Sequence, residues 1–292
     1  MVRTLSETDL ILNQDGSIYH LNLLPHDIAS TIITVGDPDR VAEVSKYFDQ
    51  IELKKGKREF ITHTGYIGKS RISVVSTGIG TDNIDIVINE LDALVNIDLD
   101  TRTEKESATT LNFIRIGTSG SLQPNLPMGS LLASSHAIGL DSLMHYYQHD
   151  KNETDLAFVA YVNNYFKSAN INTYIEACSH YLKSKIAFDL STGITLTAPG
   201  FYAPQGRNTR AGQMHGNLLE KMIRFNYKGQ VITNLEMETA GIYGLANALG
   251  HRALSINAIL ASRVNFEFSK QPNKVIEQAI QKVLERVAMI DE

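Results

Sequence analysis

Three groups of residues in the 292-residue chain have side chains and spacing suited to chemistry. The first joins Gly36-Asp37-Pro38-Asp39-Arg40, Lys57-Arg58 and Arg115-Ile116-Gly117-Thr118-Ser119-Gly120. Arginine presents a planar fork of N–H donors that matches phosphate oxygens, and glycine amides and the Thr118 hydroxyl add short donors beside it. Together the segments read as an oxyanion site, whereas any one arginine taken alone reads more readily as a surface ion pair. Arg115 is the exception, because an arginine inside an apolar strand has to be paired or serve a ligand.

The second group is Asn234-Leu235-Glu236-Met237-Glu238, entering a helix. In an extended backbone the carboxylates and Met237 alternate faces, so that a carboxylate can enter a pocket and hold a vicinal diol with both oxygens. A sugar suits that arrangement; an acidic helix N-terminus favoured by the dipole is the plain alternative. The third group is Phe201-Tyr202-Ala203-Pro204-Gln205-Gly206-Arg207. Its aromatics offer a stacking face, and the Gln205 amide with the Arg207 guanidinium matches the imide edge of uracil. A proline-stiffened surface loop is the alternative there.

Other chemistries are disfavoured. No Gly-x-x-x-x-Gly-Lys-[Ser/Thr] loop occurs, and Gly78-Ile79-Gly80-Thr81-Asp82-Asn83 lacks the third glycine of a dinucleotide fingerprint. His145 and His149 stand four apart without a third ligand or an adjacent catalytic Glu, so they read as solvated histidines. The one cysteine, Cys178, forms no intrachain disulfide and reads as a small buried residue in a reducing cytosol.

The elements that must position these groups alternate between strand and helix. Thr31–Val35 is a β-branched run that breaks at Gly36, with Pro38 placed to begin a helix carrying Val41, Val44 and Phe48. Paired strands are expected at 60–67 and 72–75 with Gly68-Lys69 as their turn, and Ile84, Val87, Ile88, Leu91 and Val95 mark an amphipathic helix. A strand from Asn112 to Ile116 should end in the Gly117–Gly120 turn, followed by a strand over 131–138. Helical spacing runs from Asp155 to Leu182, then a long strand over 186–196, a short helix over 218–225 and a helix over 238–249 closed by Gly250. A strand over 253–261 and a helix over 275–287 complete the chain.

This alternation predicts one α/β domain over 1–292 with a parallel or mixed sheet, whose glycine turns after Val35, Val75 and Ile116 converge on one edge. Residues 98–110 are polar, with alternating charge, and read as a solvated insertion. The 43% apolar and 20% charged composition is that of a folded protein, and a net charge of −5 argues against nucleic acid or an anionic membrane as partner. The acidic N-terminus is unlike a signal peptide, and no apolar run approaches a membrane span, so a cytoplasmic location is expected.

Val-Gly-Asp-Pro-Asp-Arg (35–40), Lys-Arg-Glu-Phe (57–60), Ser-Thr-Gly-Ile-Gly (76–80), Arg-Ile-Gly-Thr-Ser-Gly (115–120) and Asn-Leu-Glu-Met-Glu (234–238) occur in the order seen in the purine nucleoside and uridine phosphorylase family. The resemblance spans nearly the whole chain. It implies the nucleoside phosphorylase fold, a single domain with a central mixed, partly barrel-like sheet flanked by helices. Within the family, Phe-Tyr-x-x-Gln-x-Arg at 201–207 resembles the base-recognition loop of the uridine branch; Ile259-Leu260-Ala261-Ser262-Arg263 lacks the Asp that the purine branch carries there, and Arg263 falls where the uridine branch places a second Arg near the pyrimidine.

The resemblance further implies phosphate binding by Gly36, Arg40, Arg115 and Thr118, with Arg58 contributed by a neighbouring subunit. Thr118, Gly120, Phe201, Gln205, Arg207, Glu236, Met237, Glu238 and Arg263 would hold the nucleoside, and His20 would reach the ribose 5′-hydroxyl of the adjoining subunit's site. Arg207, Gln205 and Arg115 would carry catalysis. A homo-oligomer, dimer or hexamer, with shared sites follows. So does a reaction without a cofactor, apart from a structural potassium ion that some relatives place where Glu59 and Ile79 would match. The expected activity is phosphorolysis of uridine in pyrimidine salvage. A purine or broad-specificity phosphorylase is the alternative within the family, and a non-catalytic nucleoside-binding protein the alternative outside it.

Overall fold

A computed structural model describes residues 4–148, 156–288 and 290. The chain enters the sheet with β1 (Thr31–Val35), every residue of which is buried, and breaks at Gly36. Helix α1 (Pro38–Ser45) then starts with proline at its first position and the Asp37 carboxylate capping it by accepting from the Asp39 amide at 3.0 Å. β2 (Gln50–Lys57), β3 (Phe60–Ile67) and β4 (Ser70–Ser76) form an antiparallel meander. Helix α2 (Thr81–Asn96) buries the face bearing Ile84, Val87, Ile88, Leu91 and Leu94. The polar insertion forms the short hairpin β5 (Ile97–Asp98) and β6 (Thr103–Glu104).

β7 (Asn112–Ser121) and β8 (Leu131–Gly139) follow, then α3 (Leu156–Lys167), β9 (Tyr174–Ala177), α4 (His180–Ile186) and β10 (Ser191–Thr197). The last third holds α5 (Leu218–Arg224), β11 (Ile232–Glu236), α6 (Thr239–Ala248), β12 (Arg252–Ser262), β13 (Glu267–Phe268) and α7 (Pro272–Val287). Among the described residues the main sheet runs β13-β12-β8-β10-β11-β7-β1-β4-β3-β2, with β9 beside β8. A second pairing, β7 with β12 in parallel, closes β12-β8-β10-β11-β7 into a five-stranded ring. The sheet is thus mixed and partly closed, as the resemblance implied. Helix α6 packs against β8, β10 and β12. Its glycines allow close approach: a Cβ on Gly244 would lie 2.5 Å from Met144, and one on Gly241 2.9 Å from Thr81.

Several expectations are corrected. The segment Gly117–Gly120 is strand, not turn, because β12 continues to pair with it through Ser121. The helix expected from Asp155 to Leu182 is two helices with β9 between them; Asp155 itself, like His149, lies outside the described residues. Asn170, at φ +52°, ends the first helical region, and Ser179 caps the second by accepting from the Leu182 amide at 3.3 Å. That helix consumes Ile186, so the strand expected over 186–196 begins only at Ser191. β2, with alternating exposed and half-buried residues rich in lysine, carries no apolar run to announce it.

Candidate active site

The C-terminal ends of the parallel strands β1, β4 and β7 bring their glycine segments to one place, as expected for a sheet of this winding. They form part of a cleft of about 1220 Å³. Its lining includes Gly36, Arg40, Gly78, Arg115, Thr118, Gly120, Glu236, Met237 and Glu238, together with the 201–207 loop and Arg263 from the end of β12.

Arg115 lies at the centre of this arrangement and is almost fully buried. Its Nη2 is 2.6 Å from Glu238 Oε2 and 3.1 Å from Glu236 Oε2, while Nη1 donates to Asn257 Oδ1 at 3.2 Å. Burial alone would lower its hold on the proton, but the two carboxylates raise it above the ordinary arginine value. Gly117 makes room for this geometry, since a Cβ there would sit 1.7 Å from Arg115 Nη1. Asn257 and Ser255 escaped the sequence reading; their signal was two polar residues at strand spacing inside the apolar β12.

The two glutamates have different duties. Glu236 closes β11 and accepts from the Thr197 hydroxyl at 2.7 Å, the Thr239 amide and hydroxyl at 2.9 Å each, and the Glu238 amide at 3.0 Å. Those bonds commit it to the N-terminus of α6. Among the described residues Glu238 takes only the Gly80 amide, at 2.9 Å, besides Arg115. Burial holds its carboxyl above the ordinary range, Arg115 pulling the other way. Facing the cleft with fewer donors, it is the carboxylate free to exchange a partner for a diol.

Arg40 stands on the same wall. Its Nε is buried, with no hydrogen-bond partner among the described residues. Burial lowers its proton affinity; Asp37 opposes that, and the nearby charge of Arg115 adds to it. A half-buried guanidinium with an unpartnered Nε, beside a second guanidinium, is a ready receptor for a multivalent anion.

In the 201–207 loop, Gln205 is buried, and Arg207 stacks on the Phe201 ring at 3.7 Å from its centroid. Arg207 Nη1 donates to the Phe201 carbonyl at 2.6 Å and to Gln205 Oε1. Gly206 adopts φ +66°, and a Cβ there would meet Leu219 at 2.6 Å, which explains glycine between the two polar residues. Burial, followed by the charge of Arg263, holds Arg207 below the usual arginine value. Phe201 and Tyr202, with Phe266 and Phe268 near β13, form an exposed aromatic rim that the sequence reading found only in its first two members.

Three expected residues are not brought into this chain's own cleft. Lys57, grouped with the oxyanion donors, donates instead to Asn13 Oδ1 at 3.0 Å and the Tyr19 carbonyl at 2.6 Å. Arg58 is exposed at the β2–β3 turn with φ +57°. His20 packs against α2, where its Nδ1 lies 2.5 Å from Glu90 Oε1. Glu59 and Ile79 do line the cleft; Glu59 Oε1 accepts from Asn83 Nδ2 at 3.3 Å, and the Ile79 side chain is exposed. These two residues offer one carboxylate and one backbone carbonyl, fewer oxygens than a potassium ion takes.

No helix among the described residues is long and apolar enough to cross a membrane. The family model of the phosphorylase superfamily matches residues 30–290. A uridine phosphorylase of Thermococcus kodakarensis is 31% identical over 266 residues, covering 89% of this chain and 83% of that protein. The Haemophilus influenzae uridine phosphorylase is 30% identical, covering 88% and 90%. Among solved structures, a Trypanosoma brucei nucleoside phosphorylase described as showing uridine phosphorylase activity superposes with a TM-score of 0.86 at 29% identity, covering 96% of this chain and all of that one. Every segment of the cleft described above falls within the matched residues, and by that measure the chain belongs to the phosphorylase superfamily.

Proposed function

We propose that the protein is a uridine phosphorylase, a pentosyltransferase that converts uridine and phosphate reversibly to uracil and ribose 1-phosphate. The observation that carries this reading is that one cleft joins the Arg40–Arg115 cationic pair to the Gln205–Arg207 edge, with Glu238 among its lining residues. Phosphate held by the two arginines, the Gly36 amide and Thr118 approaches C1′ from the face opposite the base. As the C1′–N1 bond breaks through an oxocarbenium-like state, its electron pair passes to N1 of uracil. Gln205 and Arg207 meet the charge that develops on the base, and a solvent proton completes the leaving uracil. Glu238 holds the ribose hydroxyls, with Met237 against the sugar. Phe201, Gly120 and Arg263 complete the base pocket.

Phosphate is itself the second substrate, so the reaction calls on no cofactor. A potassium ion beside Glu59 and Ile79 would need oxygens from a second copy, and no step passes through it. A complete site also takes Arg58 and His20 from a neighbouring copy, which supports a homo-oligomer with shared sites. A cytoplasmic place in pyrimidine salvage is consistent with the lone, buried Cys178.

The test is product separation after incubation with uridine, with and without phosphate, beside inosine, adenosine and thymidine. Phosphate-dependent release of uracil is expected. Preferential cleavage of inosine would refute the base assignment, and uracil release independent of phosphate would refute phosphorolysis.

A further inference from the structure

Glu90 has a set of contacts that folding alone does not call for at that position. It lies on α2, is largely buried, and among the described residues has no arginine or lysine in hydrogen-bond contact. Instead both oxygens are turned to one short stretch of the N-terminal segment. Oε2 accepts from the Leu21 amide at 2.9 Å and the His20 amide at 3.0 Å, and Oε1 faces His20 Nδ1 at 2.5 Å. An ionised carboxylate only accepts hydrogen bonds, so Nδ1 must carry the hydrogen. In the neutral form of the ring Nε2 is then the free nitrogen, and no described protein group takes it.

The surrounding segment is built to hold that ring still. Ile18, Leu21 and Leu23 are fully buried, and the Ile18 amide donates back to the Leu23 carbonyl at 2.9 Å, so Tyr19 and His20 are held on a tight loop. Lys57 clamps Tyr19 through its carbonyl and lies 4.1 Å from its ring centroid, and the Tyr19 ring meets the His20 ring edge-on at 4.8 Å. Farther back, the 98–110 insertion secures the start of the segment. Leu5 N donates to the Arg102 carbonyl at 2.8 Å, and Arg102 Nη1 donates to the Leu10 carbonyl. An imidazole so fixed, with one nitrogen committed and the other presented outward, is a preset hydrogen-bond acceptor.

We propose that Glu90 is a positioning residue for nucleoside recognition: it fixes the tautomer and orientation of His20 so that Nε2 accepts a hydrogen bond from the ribose 5′-hydroxyl in a neighbouring copy's site. This rests on the placing of His20 at that hydroxyl under the proposed function. Glu90→Ala removes the acceptor from Nδ1 and from the His20 and Leu21 amides at once. Nothing then fixes the tautomer or the orientation of the ring, and Nε2 is no longer held where it meets the hydroxyl.

The experiment compares kcat/KM for uridine and 5′-deoxyuridine, each with phosphate, in the unsubstituted protein, E90A and H20A. The unsubstituted protein should favour uridine about tenfold, the size of one well-placed hydrogen bond. Both variants should bring that ratio close to one, mainly through KM. A structural role for Glu90 would depress both nucleosides equally and leave the ratio intact, and that result overturns the proposal. If H20A keeps the ratio, the placing of His20 is wrong and the inference falls with it. If H20A loses the ratio while E90A keeps it, His20 stands and the role of Glu90 alone is refuted. Long-range 1H–15N spectra of His20 in the unsubstituted protein give a readout that needs no variant to fold: Nδ1–H is expected, and Nε2–H would overturn the proposal.

Discussion

Replacing Arg115 with methionine removes the shared counter-charge of two buried glutamates while keeping the length and apolar stem of the side chain. Taking one partner out of a buried ion pair costs about 3–5 kcal/mol, because the remaining charge stays buried and uncompensated. At roughly 2–3 °C for each kcal/mol in a large domain, the melting temperature should fall by about 6–15 °C at pH 8. The deficit should depend on pH. Burial already holds the Glu238 carboxyl above its ordinary value, and loss of Arg115 raises it further. A carboxyl whose folded value exceeds its unfolded one favours the folded state below the unfolded value and loses that contribution as pH rises through the folded value. The gap between R115M and the parent should therefore be narrow near pH 5 and widest at pH 8. Differential scanning fluorimetry across that range, repeated with phosphate, measures both parts. Phosphate at about 100 times its dissociation constant should add about 2.7 kcal/mol of stability to the parent and far less to R115M. A variant that melts within about 2 °C of the parent at pH 8, or whose deficit ignores pH, would show that the two glutamates do not depend on this guanidinium and refute the reasoning.

Arg40 should show the opposite balance: in phosphate-free buffer Arg40→Met should match or exceed the parent's melting temperature, since it removes a buried, unpaired Nε, yet it should raise KM for phosphate more than about tenfold in steady-state assays. Gly117→Ala forces Arg115 out of its place, so folded protein should be recovered with the phosphate-induced thermal shift largely lost, which calorimetry would detect. Arg207→Ala should cut turnover on uridine by about two orders of magnitude with little change in melting temperature, because Arg207 serves the leaving base from a partly exposed loop. Asp141, raised above its ordinary value by burial and bonded to the Tyr174 hydroxyl, should destabilise the fold progressively as pH rises from the unfolded carboxyl value through its own; Asp141→Asn should flatten that slope in pH-dependent melting curves.

Much of the site was legible because its residues sit next to backbone punctuation. Gly36, Gly78 and Gly117 mark where strands reach the cleft, and Arg115 inside an apolar strand demanded a partner that Glu236 and Glu238 supply. Long amphipathic elements such as α2 and α7 were equally clear from their apolar spacing. What could not be read depends on contacts far apart in sequence. The extension of β7 through Gly120 is set by β12, about 140 residues later, and nothing local distinguishes that glycine segment from a turn. The aromatic run before residue 182 hid two chain reversals, because β9 buries its side chains much as a helix would. Lys57 looked like an anion donor until the N-terminal segment supplied its acceptors. Glu90 carried no signal, being one acidic residue on a helix whose other acids face solvent or its rim.

β7 has one further consequence. Its first half pairs with β1 on one edge and β12 on the other, with Arg115 opposite Thr34 and Ser255. A slip of a single residue against either neighbour would turn Arg115 to the opposite side of the sheet and point Ile114 or Ile116 at the glutamates. The slipped state would carry two stranded carboxylates and an arginine driven among hydrocarbon, so it is excluded by electrostatics as firmly as by packing. The charged cluster that receives the anion is thereby also the pin that sets the strand's alignment. Alteration of that cluster in search of a new substrate should be expected to loosen the ring of strands before it yields a new activity.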